Sequence, residues 1–570
     1  MTLKDHDTPA EAQSAFDRLT EYKQMWLTST LAECQGFELA RLIALTKVSD
    51  LHALHQGGLP LPNIDPARSV RICHGADILL PQLMARIDPA TVMKHGDTTP
   101  KLIRWATEVL EQAGALLFAH RAARVDEYGL TACQIVSDDL ITIELGQADL
   151  EAQENRDRND VNDWDRVQEV SLRTQALACW KKQCQKHALS SRVWRGHLEI
   201  FLKEDPFLDA SRALIEMNAR EYVESESFPD SVQLGPLTFG QWKDVAVGIA
   251  AHFQIGIHCA TSACNRAGPH DLMNSLPRFL DTNSARRLIM VCSSAVTDLA
   301  VDQVLDVFAA DGDDVERFKD RFMPPSAMLL KVPRGFAISH TGQVGNPFWY
   351  MTEKLKLLFK DEWMNAAAKS NLRESIFRDE LYSVLGQRAY GAGKNLTLKR
   401  ANGTTATDID AVFYERATNV VYLVQLKWPE VSVGEWRRRQ SEFSHLSKDG
   451  LKWINEVQAW LELHRSLSNR EVLSRLELDG LVTSPETVRF ELVVISRSWT
   501  RFSGKDALDN RAAWTSWTRL RKLLIQHRES DSPLRDAWSE LCNPEAPRPP
   551  ATRTSIVQLP NLTLHFKLPL

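Results

Sequence analysis

The sequence has few cysteines for its length and no long apolar run, and each shortage removes a class of protein. Nine cysteines are scattered over 570 residues, an odd number without the close spacing of a secreted disulfide framework, so free thiols are expected. No window approaches the ~20 consecutive apolar residues that a membrane helix needs. The first thirteen residues are polar and acidic rather than a basic stretch leading into an apolar one, so a cytoplasmic location is expected. Any Gly-x-x-x-x-Gly-Lys-Ser/Thr stretch is also missing. Gly391, Gly393 and Lys394 fall between a predicted helix and a predicted strand, not after a strand, so no nucleotide-hydrolysing motor is visible. No fixed-period repeat marks a solenoid.

What remains is an average water-soluble composition, 44% apolar and 25% charged, in a chain long enough for three or four units of ~150 residues. The net charge of −6 hides an asymmetry: −12 over residues 1–350, +4 over 351–550 and +2 over 551–570. A mildly basic C-terminal part permits contact with phosphates without demanding it.

Apolar residues recur at three- and four-residue steps through most of the first 350 positions, as in Leu39, Leu42 and Ile43 or Ile103, Trp105 and Val109. Residues 1–150 are expected to form a helical domain, with a short β-like stretch at 134–145. Residues 147–165 read as an exposed polar loop. A mainly helical middle domain, 151–350, should follow, helical over 167–223 and 239–265 with a connection at 225–236. The apolar runs at 288–292 and 328–332 suit either strands or buried helix turns.

The character then changes. Residues 371–385 predict an amphipathic helix; 395–400, 407–415 and 420–428 predict three strands; 448–467 a helix; and 488–496 a fourth strand. The order α-β-β-β-α-β defines an α/β core within a domain at 351–545. A helix is expected around 507–527, and 546–570 is expected to be a C-terminal extension. The whole is an α+β multidomain protein.

Strand alternation decides which side chains share a face. A hairpin closed by residues 416–419 pairs Glu415 with Val420, which sets Asp410 opposite Gln425 and Asp408 opposite Lys427, with Cβ atoms about 5 Å apart. Four polar groups converge at the end of a sheet. A divalent ion held there by carboxylate and carbonyl oxygens would polarise a phosphodiester and ease deprotonation of water, and Lys427 would neutralise developing charge. One carboxylate makes a weak cage for Mg²⁺. On the preceding helix Glu374 lies on the apolar face and Glu380 on its margin, so Glu374 is the first candidate for a second acid and Glu380 the next. The bland alternative is a hairpin with a solvated face, where Asp408 and Lys427 are a cross-strand ion pair.

This order, with DIDAVF on one strand and YLVQLKW on the next, resembles the PD-(D/E)XK, or restriction-endonuclease-like, nucleases, in the Mrr-type variant with Asp and then Gln-x-Lys. The resemblance covers about 125 of the 570 residues. It implies a restriction-endonuclease-like core using Mg²⁺ or Mn²⁺, with Asp410 binding the metal and Gln425 at the position usually acidic. Leu426 would lend its main-chain carbonyl, Lys427 would be the catalytic lysine, and Glu374 or Glu380 the helical acid. Ile409 stands where the family name expects Pro. The implied activity is that of a DNA endonuclease, with RNA as the second choice of substrate. The helical N-terminal region would then recognise a protein partner or a nucleic acid, as in prokaryotic defence against foreign DNA. The rival reading follows from the neutral Gln425: a nuclease fold that has lost its metal and serves as a nucleic-acid or protein binding module.

Weaker signals flank this core. Arg437, Arg438, Arg439, Lys448 and Lys452 suit either phosphate contact or an ordinary solvated face. Trp453 and Trp460, seven residues apart, read as core rather than base-stacking groups; Trp428 and Trp436 leave both options open. Cys259, Cys264 and His270 with His258, and separately Cys179, Cys184 and His187, lack the tight cysteine spacing of structural zinc sites and read as packed side chains.

Overall fold

The computed structural model describes residues 14–56, 64–88, 98–126, 131–145, 178–180, 182, 191–194, 197–200, 205–219, 222–267, 279–318, 326–344, 346–368, 370–385, 390–391, 395–400, 402–429, 436–464, 467–478, 482–498, 508–542 and 552–569. The protein mixes helices with several small sheets and begins with a helical region. Among the described residues no helix is long and apolar enough to cross a membrane.

Helices α1 (Ala15–Glu33), α2 (Glu38–Gln56), α3 (Pro66–Met84) and α4 (Pro100–Asp126) form the expected N-terminal region. Ser14 starts α1 by accepting the Asp17 N–H at 3.1 Å, and Asp65 starts α3 by accepting the Ala67 N–H at 3.0 Å. α3 and α4 cross at a pair of glycines. A Cβ on Gly75 would stand 2.0 Å from the Leu110 carbonyl oxygen, and one on Gly114 would stand 1.9 Å from that of Arg71. The hairpin β1 (Thr131–Ser137) and β2 (Leu140–Leu145) follows and meets the β-like expectation. The polar run expected at 147–165 lies outside the described residues.

Among the described residues the middle region is less helical than the periodicity predicts. β3 (Ser191–Trp194) and β4 (His197–Ile200) pair antiparallel inside a stretch read as helix; Val193, Trp194 and Ile200 are residues that suit a pleated surface. After α5 (Asp205–Ala219) comes a one-turn 3₁₀ helix, Val223–Glu226, and the short pair β5 (Gln233–Leu234) and β6 (Leu237–Thr238), which together span the connection expected at 225–236 and reach slightly past both its ends. α6 (Phe239–Ala267) fills the second helical stretch. The run at 288–292 ends a helix, α7 (Thr282–Cys292). The run at 328–332 contains a strand. It is β9 (Leu329–Val332), in a four-stranded sheet with β7 (Phe279–Asp281), β8 (Ala309–Ala310) and β10 (Gly335–Ile338). α8 (Val301–Phe308), α9 (Pro347–Leu358) and α10 (Lys360–Ala368) complete a core in which Trp242, Phe308, Phe348 and Trp363 are buried.

The C-terminal region is built on a five-stranded sheet. α11 (Ser370–Leu385) precedes β11 (Tyr390–Gly391), β12 (Leu396–Lys399), β13 (Thr405–Ile409), β14 (Ala411–Glu415) and β15 (Val420–Lys427). α12 (Trp436–Leu463) and α13 (Asn469–Arg475) lead to β16 (Arg489–Ser496), β17 (Ala513–Ser516), α14 (Trp517–Gln526) and α15 (Pro533–Cys542). The sheet order is β11-β14-β15-β16-β17; β14 and β15 are antiparallel, whereas β16 and β17 add on parallel. A parallel return requires a long crossover, and α12 supplies it. Alternation splits the apolar residues between faces. Val421 and Leu423 pack with Trp453, Ile454 and Val457 of α12; Tyr422, Val424 and Leu426 pack with Phe377, Leu381 and Leu385 of α11.

Four differences from expectation have local causes. The single strand expected at 407–415 is two, because the chain leaves its pairing with β12 and joins β15 on either side of Asp410. α12 begins at Trp436, earlier than expected, since its first turns are polar and carry no apolar period. The helix expected at 507–527 begins at Trp517, capped by Ser516; the preceding Ala513–Ser516 lines up on β16 as β17. The expected C-terminal extension is structured: β18 (Thr552–Leu559) and β19 (Leu562–Pro569) form a hairpin turned at Asn561 (φ 58°), and β19 pairs parallel with β2. The end of the chain thus completes the first sheet, in the order β1-β2-β19-β18, and covers an edge that would otherwise be open.

Candidate active site

The hairpin turn sets the register of the site. Ala411 pairs with Val424 and Glu415 with Val420, as the alternation argument requires, and the turn closes with Asn419 in the left-handed region (φ 54°). Asp410 is the residue next beyond the β14 ladder. Its N–H donates to the Val424 carbonyl at 3.0 Å, so its side chain meets Gln425 and Leu426 at the end of β15.

Asp410 is fully buried. One carboxylate oxygen, Oδ2, accepts the Leu426 N–H at 2.7 Å and the side-chain Nε2 of Gln425. The other, Oδ1, is buried and has no hydrogen-bond partner among the described residues. Burial pushes the Asp410 carboxyl up to about 7, against the pull of the Leu426 N–H, and the charges of Glu374 and Asp408 push it further while Lys427 opposes. Glu374, half-buried on α11, is also raised by burial, with Lys427 lowering, Asp408 raising and Arg378 lowering. Glu374, Asp408, Asp410 and Lys427 therefore act on one another through space. Within a strand a residue's N–H and C=O point to the same side, so the Leu426 carbonyl faces the patch that its N–H already serves.

The other predicted residues fall into place differently. Asp408 is exposed on β13, where its ladder partner is Thr397 and not Lys427; it influences the site as a nearby charge. The cross-strand ion pair with Lys427 is replaced because β13 belongs to a separate two-stranded sheet. Glu380 forms an ion pair with Arg497, whereas Glu374 is the helical carboxylate whose charge acts on Asp410. Lys448 and Lys452 are exposed on α12. Arg437, Arg438 and Arg439 lie in the first turn of that helix rather than ahead of it, and their side chains, like that of Trp436, lie outside the described residues. Trp453 and Trp460 are buried and donate to the main-chain oxygens of Asp408 (2.8 Å) and Lys399 (3.0 Å), fastening α12 to β12 and β13. Of the residues weighed for zinc, Cys179 is exposed; the side chains of Cys184, His187, His258, Cys259, Cys264 and His270 lie outside the described residues.

Sequence reasoning missed three arginines. Arg378 donates to the Asp410 carbonyl at 3.0 Å, and its position one helical turn after Glu374 was a signal available in the sequence. Arg373 donates to the Trp428 carbonyl at 3.2 Å, and the Arg497 N–H donates to the Lys427 carbonyl at 2.7 Å. Nothing in local periodicity points to either.

Among the described residues no three His, Cys, Asp or Glu side chains form a ready-made metal cluster. What the site offers a cation is a mixed set of oxygens: the unpartnered Oδ1 of Asp410, the Glu374 carboxylate, the Gln425 amide oxygen and the Leu426 carbonyl. Hard oxygen donors of this kind suit Mg²⁺ or Mn²⁺ and not zinc. No known protein family, curated protein or solved structure matches the chain.

Proposed function

We propose that the C-terminal region is a metal-dependent endonuclease that hydrolyses phosphodiester bonds, with DNA the favoured substrate over RNA. The observation that carries the reading is the state of Asp410: a fully buried carboxylate, pushed up to about 7, with one oxygen satisfied and the other unpartnered among the described residues. A buried polar atom without a partner is unfavourable by about 1–3 kcal/mol, and such atoms concentrate where a ligand or ion belongs. The residues fit Mg²⁺ or Mn²⁺: Asp410 and Glu374 would supply charge, Gln425 and Leu426 neutral oxygens.

A bound divalent ion supplies the positive charge that polarises a phosphodiester and eases deprotonation of the attacking water. The chain's own contribution is positional and electrostatic. Gln425 and the Leu426 N–H hold Asp410 in one orientation, and Arg378 fixes its main chain. Lys427, beside both carboxylates, is placed to donate to a phosphate oxygen and stabilise charge that grows there. Lys448 and Lys452 offer sequence-independent contacts to the backbone of a nucleic acid. The α+β core in this reading is restriction-endonuclease-like, and the helical N-terminal region recognises a partner or controls cleavage, as a defence nuclease acting on foreign DNA in the cytoplasm would require.

A second reading, a nucleic-acid or protein binding module without metal, is favoured by one observation: the Gln425 amide already donates to the carboxylate that a cation would claim. One experiment separates the two. Purified protein is incubated with linear, circular, single- and double-stranded DNA and with RNA, in Mg²⁺, Mn²⁺ or EDTA. Metal-dependent cleavage that Asp410→Ala abolishes supports the nuclease. Nucleic-acid binding without cleavage, and a melting temperature insensitive to either metal, supports the module.

A further inference from the structure

The strand that carries Lys427 is held in place from outside its own sheet. Trp428, the next residue, donates its indole N–H to the Glu226 main-chain oxygen at 2.9 Å. Its carbonyl accepts from Arg373 at 3.2 Å, and the Arg373 guanidinium lies over the ring of Phe228, 4.8 Å from the centroid. Arg497 follows the last residue of β16 and donates its N–H to the Lys427 carbonyl at 2.7 Å. Its side chain is only 8% exposed, stacks 4.7 Å from the centroid of the Trp428 ring and 5.3 Å from that of Phe377, and pairs with Glu226 at 3.3 Å and with Glu380. Glu226 and Phe228 belong to the middle region, at and just after the 3₁₀ turn Val223–Glu226. Residues about 200 positions upstream of the sheet thus grip the end of the Lys427 strand through Trp428 and Arg497.

We infer that Arg497 and Glu226 are positioning residues for Lys427, and that the middle region, by holding or releasing the 223–228 segment, sets whether the site is competent. The inference rests on the nuclease reading for its consequence, though not for its contacts. A buried guanidinium needs its charge answered; with Glu226 removed, Arg497 keeps, among the described residues, only Glu380 as an ion-pair partner, and that side chain is 41% exposed. The Arg497 side chain is then free to swing toward Glu380 and away from Trp428. A reacting group displaced by about 1 Å loses on the order of a hundredfold in rate, while metal and substrate, bound by other groups, stay in place.

The test uses the full-length chain with Glu226→Gln, which keeps the main-chain acceptor for Trp428 and removes the charge, and with Arg497→Lys, which keeps the charge and removes the planar, stacking guanidinium. Glu226→Asp is the conservative control. Two readouts are taken: cleavage kinetics, and hydrogen exchange of the amides of residues 424–428, which needs no activity. The expected result is a fall in kcat of at least about tenfold in Glu226→Gln with KM within a factor of about three. Mn²⁺ binding should be unchanged, exchange at 424–428 faster, and both effects partly restored in Glu226→Asp. Wild-type kcat and wild-type exchange in Glu226→Gln overturn the positioning role while leaving the nuclease reading intact. If the wild type cleaves nothing, the nuclease reading falls, and exchange at 424–428 still decides whether Glu226 holds that strand. Should Arg497→Lys fail to fold, Glu226→Gln carries the test alone.

Discussion

Replacing Asp410 by Asn should make the metal-free protein more stable at alkaline pH, although it removes the central residue of the site. The carboxyl is pushed from an ordinary value of 3.8 up to about 7, chiefly by burial. At about 1.36 kcal/mol per unit, ionised Asp410 destabilises the folded state by about 4 kcal/mol relative to the unfolded chain. The sign follows from proton uptake. Between about pH 4 and pH 7 the folded form binds the proton and the unfolded form does not, so the favourable contribution is complete below about pH 4 and is lost as pH rises through about 7. Asn is neutral throughout and keeps an oxygen for the Leu426 N–H and the Gln425 amide. Weakening those two charge-assisted bonds forfeits about 1 kcal/mol each, leaving a net gain of about 2 kcal/mol at about pH 8. For a unit of this size that is a rise of about 4–8 °C in melting temperature. Thermal unfolding in EDTA at about pH 8 and about pH 4.5 reads the difference, which should vanish or reverse at the lower value, where wild-type Asp410 is protonated. Adding Mg²⁺ at about pH 8 should stabilise the wild type alone. A variant equally destabilised at both pH values would refute the account of Asp410 as a buried charge waiting for a cation.

The remaining expectations concern rate, salt and chain ends. Lys427→Ala should retain fold, metal binding and nucleic-acid binding while lowering cleavage about a hundredfold, the scale of losing one preorganised electrostatic group; single-turnover kinetics measure it. Lys448→Ala combined with Lys452→Ala should weaken duplex DNA binding and reduce the slope of log affinity against log salt by about 2, read from titrations at several salt concentrations. Deleting residues 546–570 removes β18 and β19 with buried Val557, Leu559, Leu562, Leu564 and Phe566, so the N-terminal region should lose its cooperative melting transition in calorimetry while metal binding at Asp410 persists.

How much of this was legible in the sequence depends on how local the cause is. The β14–β15 hairpin was, because four turn residues, 416–419, with Asn419 able to adopt a left-handed conformation, leave one register that keeps Val421 and Leu423 on one face and Tyr422 and Val424 on the other. Once that register holds, Asp410 must meet Gln425. The break at Asp410 was not legible, since a strand that changes partners has the same alternation as one that does not. Nor was the start of α12, whose first turns carry charge and no apolar stripe. The joining of β19 to β2 spans more than 400 residues of sequence, and edge-to-edge pairing leaves no periodic trace in either strand.

The two helical acids show where local pattern stops. Glu374 and Glu380 lie on one helix, and a 100° wheel places one on the apolar face and the other on its margin, which ranks them weakly. What separates them is Arg497, which arrives from the far end of β16 and claims Glu380, while Arg378, one turn along from Glu374, attaches to the Asp410 carbonyl and keeps its side chain beside the first acid. The choice is therefore made by cations the wheel does not contain. It also explains the charge state of the site. Glu380 is paired with an arginine, whereas Glu374 and Asp410, both raised by burial, act on each other with Lys427 and Arg378 as the cations the structure sets against them. On the proposed reading, two raised carboxylates and an oxygen without a partner among the described residues form an arrangement that a divalent ion would relieve.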